Sequence, residues 1–235
     1  MTTLVSSTAY AAAKFMASSG HTIKRSHISE VLAAMLGYQT YAALVVEEND
    51  SDLGYHLDDA EMLVLNQFAG EQRARTLGID TTSKLIEVCF MTLKSTTTAR
   101  VYKDVNDFYD SYGRQALAEA ISSSGDVSST MAETNADFYD DPDLPVETPQ
   151  TENLWEARSV WEIAVEGTMH GSHDIESDRM FTGNTLDCYS KLTFDKAGRA
   201  GLIATDSEGY ARVDDSWRLA DLEDEAAYMA SLEGE

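Results

Sequence analysis

Apolar positions recur at steps of three and four through the first half of the chain and at steps of two near its end. The two periods predict two kinds of element. The first is helical. A short alanine-rich helix spans Tyr10 to Ser18 and ends near Gly20. A second runs from about His27 to Leu36 and stops at Gly37, and a third from about Thr40 to Glu48. A fourth begins near Asp58 and carries Leu63, Leu65, Phe68, Ala74 and Leu77, with Gly70 weakening it. A fifth follows Thr81-Thr82-Ser83 and carries Leu85, Val88, Cys89 and Leu93. The sixth, Asp104 to Ser122, has its stripe at Val105, Phe108 with Tyr109, Tyr112, Ala116 and Ala120.

After Ser122 the pattern breaks. All three prolines, Pro142, Pro145 and Pro149, fall in residues 124–153, which read as a linker or as a segment that orders on a partner. Beyond it the period shortens to two. Val160 to Thr168 alternates like a strand, and Leu186, Cys188, Ser190, Leu192 and Phe194 share one face of another. A turn is expected at Asp195-Lys196-Ala197-Gly198, then strands at 202–205 and 210–213 separated by Asp206-Ser207-Glu208-Gly209. A last helix, capped near Asp215-Ser216, carries Leu219, Leu222, Ala226, Met229 and Leu232. The expected class is α+β: an all-helical part over 1–123 with a helix-turn-helix-like hairpin, an acidic proline-containing linker over 124–153, and a small antiparallel-sheet domain with a C-terminal helix over 154–235.

Charge changes this picture most. Forty-one acidic and seventeen basic residues leave a formal charge of -24. Such a chain repels phosphate backbones and anionic headgroups and is drawn to basic surfaces. The acidity is uneven: residues 1–46 hold Lys14, Lys24 and Arg25 against Glu30 alone, whereas residues 124–153 hold eight carboxylates and no basic residue. Asymmetry of this kind marks an interaction surface and argues against uniform salt adaptation. No apolar run approaches the ~20 residues of a membrane span. Residues 1–16 lack a basic n-region and Lys14 interrupts them, so no signal peptide is read and a cytoplasmic setting is expected. Cys89 and Cys188 stand alone in apolar stretches, as buried thiols in a reducing compartment do.

Residues 29–46 have the frame of a helix-turn-helix, with Ala33 and Gly37 at the right spacing and Leu32, Leu36, Tyr38, Ala43 and Val46 in the apolar places. The second helix, which would read DNA, has no Lys or Arg and ends in Glu47-Glu48, so it lacks phosphate clamps and base-edge donors. A helical hairpin packed in a core is the better reading. Within it, Ser26-His27, Leu32-Ala33, Leu36-Gly37-Tyr38, Thr40-Tyr41 and Ala43-Leu44 resemble a short helical module of bacterial and plasmid-borne proteins labelled glyoxalase-related. That resemblance implies a helical module in a bacterial or plasmid setting. The label would also imply a metal-dependent lyase on paired βαβββ units, but nothing after Asp50 matches such units, so no catalytic residue is carried over.

The remaining chemistry is sparse. His170 and His173, three apart beside Asp174 and Glu176, are the best metal candidates, yet they lack a further His or Cys at a motif spacing and read better as a solvated loop. No nucleophile elbow, phosphate-binding glycine loop, dinucleotide fingerprint or C-x-x-C occurs, and no cofactor is assigned. The candidate binding residues are Asp137, Phe138, Tyr139, Asp140, Asp141, Asp143 and Leu144, aromatic and apolar anchors among carboxylates. The expected function is a non-enzymatic acidic protein from a mobile element or phage. It would occupy the basic nucleic-acid-handling surface of a host defence complex, as an anti-CRISPR protein does, without binding nucleic acid or membrane itself. A metal-dependent hydrolase or lyase using the His170/His173 loop and a helix-turn-helix regulator are the alternatives.

Overall fold

A computed structural model describes residues 3–173, 181–216 and 218. The class is α+β, with N-terminal helices preceding a five-stranded mixed sheet of order β2-β1-β5-β4-β3. Helix α1 (Thr3–Ser18) ends where expected but begins seven residues before Tyr10, and α2 (Arg25–Met35) and α3 (Tyr41–Glu47) fall where the 3.6-residue period puts them. So does α5 (Thr82–Thr96). Gly37 closes α2 with φ +85°, a conformation that costs an L side chain dearly. Thr40 caps α3, its Oγ1 accepting from Ala43 N at 3.1 Å.

The helix expected from Asp58 to Leu77 is instead three elements. Leu57–Asp59 is a single 3₁₀ turn, Met62–Val64 is strand β1, and α4 starts only at Gln67 and runs to Thr76. All three β1 residues are buried. A strand covered on both faces has no alternation, so its apolar run can be fitted to a helical wheel. Strand β2 (Arg100–Tyr102) pairs parallel with β1 and is too short to carry a period. The last N-terminal helix is continuous in position but not in winding: α6 (Val105–Phe108) passes through a π turn (Tyr109–Gly113) into α7 (Arg114–Ser122).

Residues 124–153 are not a featureless linker. Ser124 caps helix α8 (Gly125–Glu133), which polar composition concealed, and Asp137 and Asp143 form antiparallel bridges described below. The long strands are β3 (Val160–His170), β4 (Thr185–Ala197) and β5 (Gly201–Val213). On β4 the buried face is the expected one, Leu186, Cys188, Ser190, Leu192 and Phe194. The two strands expected over 202–213 are one. The polar stretch 206–209 stays in the ladder because backbone pairing with β4 decides it, and Glu208 finds partners there: Ser190 Oγ donates to its backbone carbonyl, and Lys191 pairs with its carboxylate. The C-terminal helix expected over 219–232 lies outside the described residues.

The chain divides into two compact units that interleave along the sequence. One comprises 1–113, 147–163 and 192–206, the other 114–146, 164–191 and 207–235, so the expected boundaries at 123 and 153 do not coincide with the division. The core of the first includes Met16, Ile28, Leu32, Met35, Leu44 and Cys89. Beside it, Trp161 and Phe194 close on Phe108 with ring centroids 5.7 and 5.8 Å away. In the second, α7 lies against the backbone of β5, where a Cβ on Gly209 would meet Ala120 O at 2.4 Å. Thr130 of α8 donates through Oγ1 to Ala211 O at 3.2 Å.

Candidate functional site

The acidic segment 137–144 forms a strap along the outer edge of β3. Asp137 and Ser172 exchange backbone hydrogen bonds of 2.9 and 2.8 Å, and Asp143 and Thr168 exchange bonds of 2.8 and 3.1 Å. Pairing at both ends uses amides that an edge strand would otherwise present to solvent. Between the bridges, residues 138–142 face only 169–171, so the strap bows away from the strand. Two glycines let it lie so close. A Cβ on Gly167 would meet Asp143 O at 2.5 Å and the Leu144 side chain at 2.6 Å, and one on Gly171 would meet the Phe138 ring at 3.0 Å.

This geometry sorts the seven candidate residues. Leu144 is buried and Phe138 half-buried, both turned to the strand. Pro142 between them is buried as well. Tyr139 is 83% exposed, and Asp137, Asp140, Asp141 and Asp143 are exposed around it. The apolar anchors are therefore spent holding the strap, and what it presents is one aromatic ring among four carboxylates.

The two histidines weighed as metal candidates, and read instead as a solvated loop, have partners within the protein. His170 ends β3, its ring nitrogens 3.4 Å from Thr168 Oγ1 and 3.3 Å from Thr185 Oγ1. His173 Nδ1 lies 3.4 Å from Asn135 O, and its ring stands edge-on to Phe181 at 5.3 Å. Asp174 and Glu176 lie outside the described residues. Among the described residues no group of three or more His, Cys, Asp and Glu side chains is placed to hold a metal ion.

In the helix-turn-helix-like hairpin, Leu32, Ala33, Leu36, Tyr38 and Leu44 are buried, whereas Ala43 and Val46, expected to face inward, are exposed. The carboxylates that end α3 are occupied. Glu47 accepts from Tyr38 Oη at 2.9 Å and from Arg199 Nε at 3.2 Å, and Glu48 accepts from Leu57 N at 3.2 Å. Burial raises the Glu48 carboxyl pKa against the pull of the Leu57 N–H. The Arg199 guanidinium also lies 5.1 Å over the Tyr38 ring, and Arg199 N donates to Tyr38 Oη at 3.3 Å. The hairpin thus grips the β4–β5 turn.

That grip borders a cleft of about 840 Å³ which sequence reasoning did not anticipate. Lys196 is in its lining with only 5% of its surface exposed, and its Nζ donates to Arg199 O at 2.7 Å. Burial drives the amine down from 10.5 to about 7, the Glu47 charge opposing. One signal was available: Lys196 continues the buried parity of Leu192 and Phe194 beyond the end expected for the strand. Comparison with protein-family models, curated proteins and solved structures finds no match.

Proposed function

We propose that the protein acts by binding: the strap presents Tyr139 and its surrounding carboxylates to a basic surface of a nucleic-acid-handling complex, in the manner of an inhibitor carried by a mobile element. The observation that supports this most is the sorting of the strap. Its apolar side chains turn inward and its one fully presented ring stands among exposed acids on a backbone pinned at two points. An aromatic anchor ringed by charges suits a hot spot that meets Lys and Arg on the partner. Pinning lowers the ordering entropy that a free acidic peptide would lose on binding. The charge of -24 speeds encounter with such a surface and disfavours direct contact with DNA.

The test is anisotropy-detected binding to a panel of purified basic nucleic-acid-binding complexes, CRISPR effectors among them, with and without duplex DNA. Binding is expected to weaken with salt, to be competed by DNA, and to fall by more than tenfold in Tyr139→Ala combined with Asp140→Asn and Asp141→Asn. Binding indifferent to all three would reject the strap as the contact surface.

A further inference from the structure

We propose that Lys196 is a reversible covalent ligand site: its amine condenses with an uncharged aldehyde that enters the cleft it lines, forming an imine. Three observations carry this. The residue is almost wholly buried yet belongs to the cleft wall. A protonated amine has three N–H groups to satisfy, but the only hydrogen bond Lys196 Nζ makes among the described residues goes to Arg199 O. The acid whose charge reaches it, Glu47, is already held by Tyr38 and Arg199. An ammonium left so poorly satisfied at this depth is costly. The neutral amine keeps its bond to Arg199 O and has a lone pair to use, a state that burial favours near neutral pH.

The chemistry balances without a co-reactant. The nitrogen lone pair attacks the carbonyl carbon, forming the C–N bond while the carbonyl π electrons move to oxygen. The carbinolamine then loses that oxygen as water, both hydrogens of the water coming from the amine, and a C=N bond remains. No electrons leave or enter, and hydrolysis reverses the step.

The cleft also selects the ligand. Its volume falls within the ~300–1,000 Å³ of small-molecule pockets. Glu47, Asp50, Asp52, Glu156 and Asp195 outnumber Arg158 and Arg199 in its lining, so an anionic aldehyde is repelled. Tyr55 and Trp155 are the aromatic residues of the lining and favour a ligand with an apolar body.

The full-length protein would be treated at neutral pH with benzaldehyde and cyanoborohydride, which reduces the imine to a stable amine, and the modified lysines mapped by peptide mass spectrometry. Lys196 is expected to be labelled at least tenfold faster than exposed Lys14, Lys84 and Lys94, and to lose that lead with 2-carboxybenzaldehyde, which carries a negative charge. Lys196→Arg, checked for native circular dichroism, is expected to leave the other lysines labelled as before. Labelling of Lys196 no faster than Lys14, or only after urea is added, would overturn the proposal and leave Lys196 as a structural donor to the turn. The strap takes no part, so either result leaves the partner-binding test independent.

Discussion

Lys196 shows how far one side chain's surroundings can move its chemistry. In the unfolded chain its amine keeps its proton to about 10.5, whereas in the folded protein it holds it only to about 7. Between those values the unfolded state binds more protons, so stability rises with pH across that window. Below it the buried charge costs about 5 kcal/mol. Cys89 and Cys188 act in the opposite sense. Burial lifts their thiols from 9.0 to about 12 and about 11, so the unfolded chain loses those protons first and stability falls as the pH passes about 9. The clean interval is therefore about pH 7 to about pH 8.5. Urea denaturation there is expected to show a gain of roughly 1 to 2 kcal/mol in the wild type and no gain in Lys196→Met. Equal pH responses in the two proteins would mean that the amine is solvated. Trp161 is the contrasting case, an uncharged side chain fixed by packing and one hydrogen bond. It is 1% exposed, forms a mutually contacting trio with Phe108 and Phe194, and donates through Nε1 to Glu152 O at 2.9 Å. Trp161→Ala is expected to destabilise by about 4 kcal/mol in the same assay, through the cavity and the orphaned carbonyl together.

At the scale of elements, the strap and β3 depend on one another through space that only glycine leaves. Gly167→Val places two methyl groups where the Asp143 carbonyl and Leu144 now lie, so the strap must lift from the strand. The expected result is faster amide exchange at Asp143 and Thr168 and a loss of partner binding equal to that of the strap variants, although no carboxylate has been changed. Unchanged binding with a lifted strap would show that pinning is irrelevant to recognition. The elements also show which patterns mislead. Met62, Leu63 and Val64 form an unbroken apolar run with no alternation, so period cannot tell strand from helix there, and burial on both faces distinguishes the two. Helix α8 was hidden for the converse reason: its sequence Gly-Asp-Val-Ser-Ser-Thr-Met-Ala-Glu has one buried side chain, Val127, and too short an apolar pattern to read as a stripe.

For the molecule as a whole, the charge of -24 opposes compaction by self-repulsion. The described ion pairs, such as Arg73–Glu30 and Arg212–Asp187, engage only some of the acids. Raising NaCl from about 0.02 M to about 0.5 M shortens the screening length from roughly 20 Å to roughly 4 Å. The melting temperature, followed by circular dichroism, is expected to rise by several degrees while partner binding weakens. A melting temperature that falls with salt would mean that attractive pairs outweigh repulsion. Among the described residues no helix is long and apolar enough to cross a membrane.

The sequence by itself determined the α+β class, the helices at both ends of the hairpin turn, the inward face of β4 and the place of the acidity, because these follow from local propensity and from the period of apolar residues. It also singled out the strap residues, though not which of them would face out. Tertiary structure decided that Phe138 and Leu144 turn inward and Tyr139 outward, since the choice rests on Gly167 of β3 and Gly171 just past its end, both distant in sequence. It decided that 206–209 is strand, because pairing with β4 outweighs side-chain preference. It placed Lys196 in a cleft wall beside Arg199, Glu47 and Tyr38, contributions from widely separated segments whose meeting no local pattern encodes.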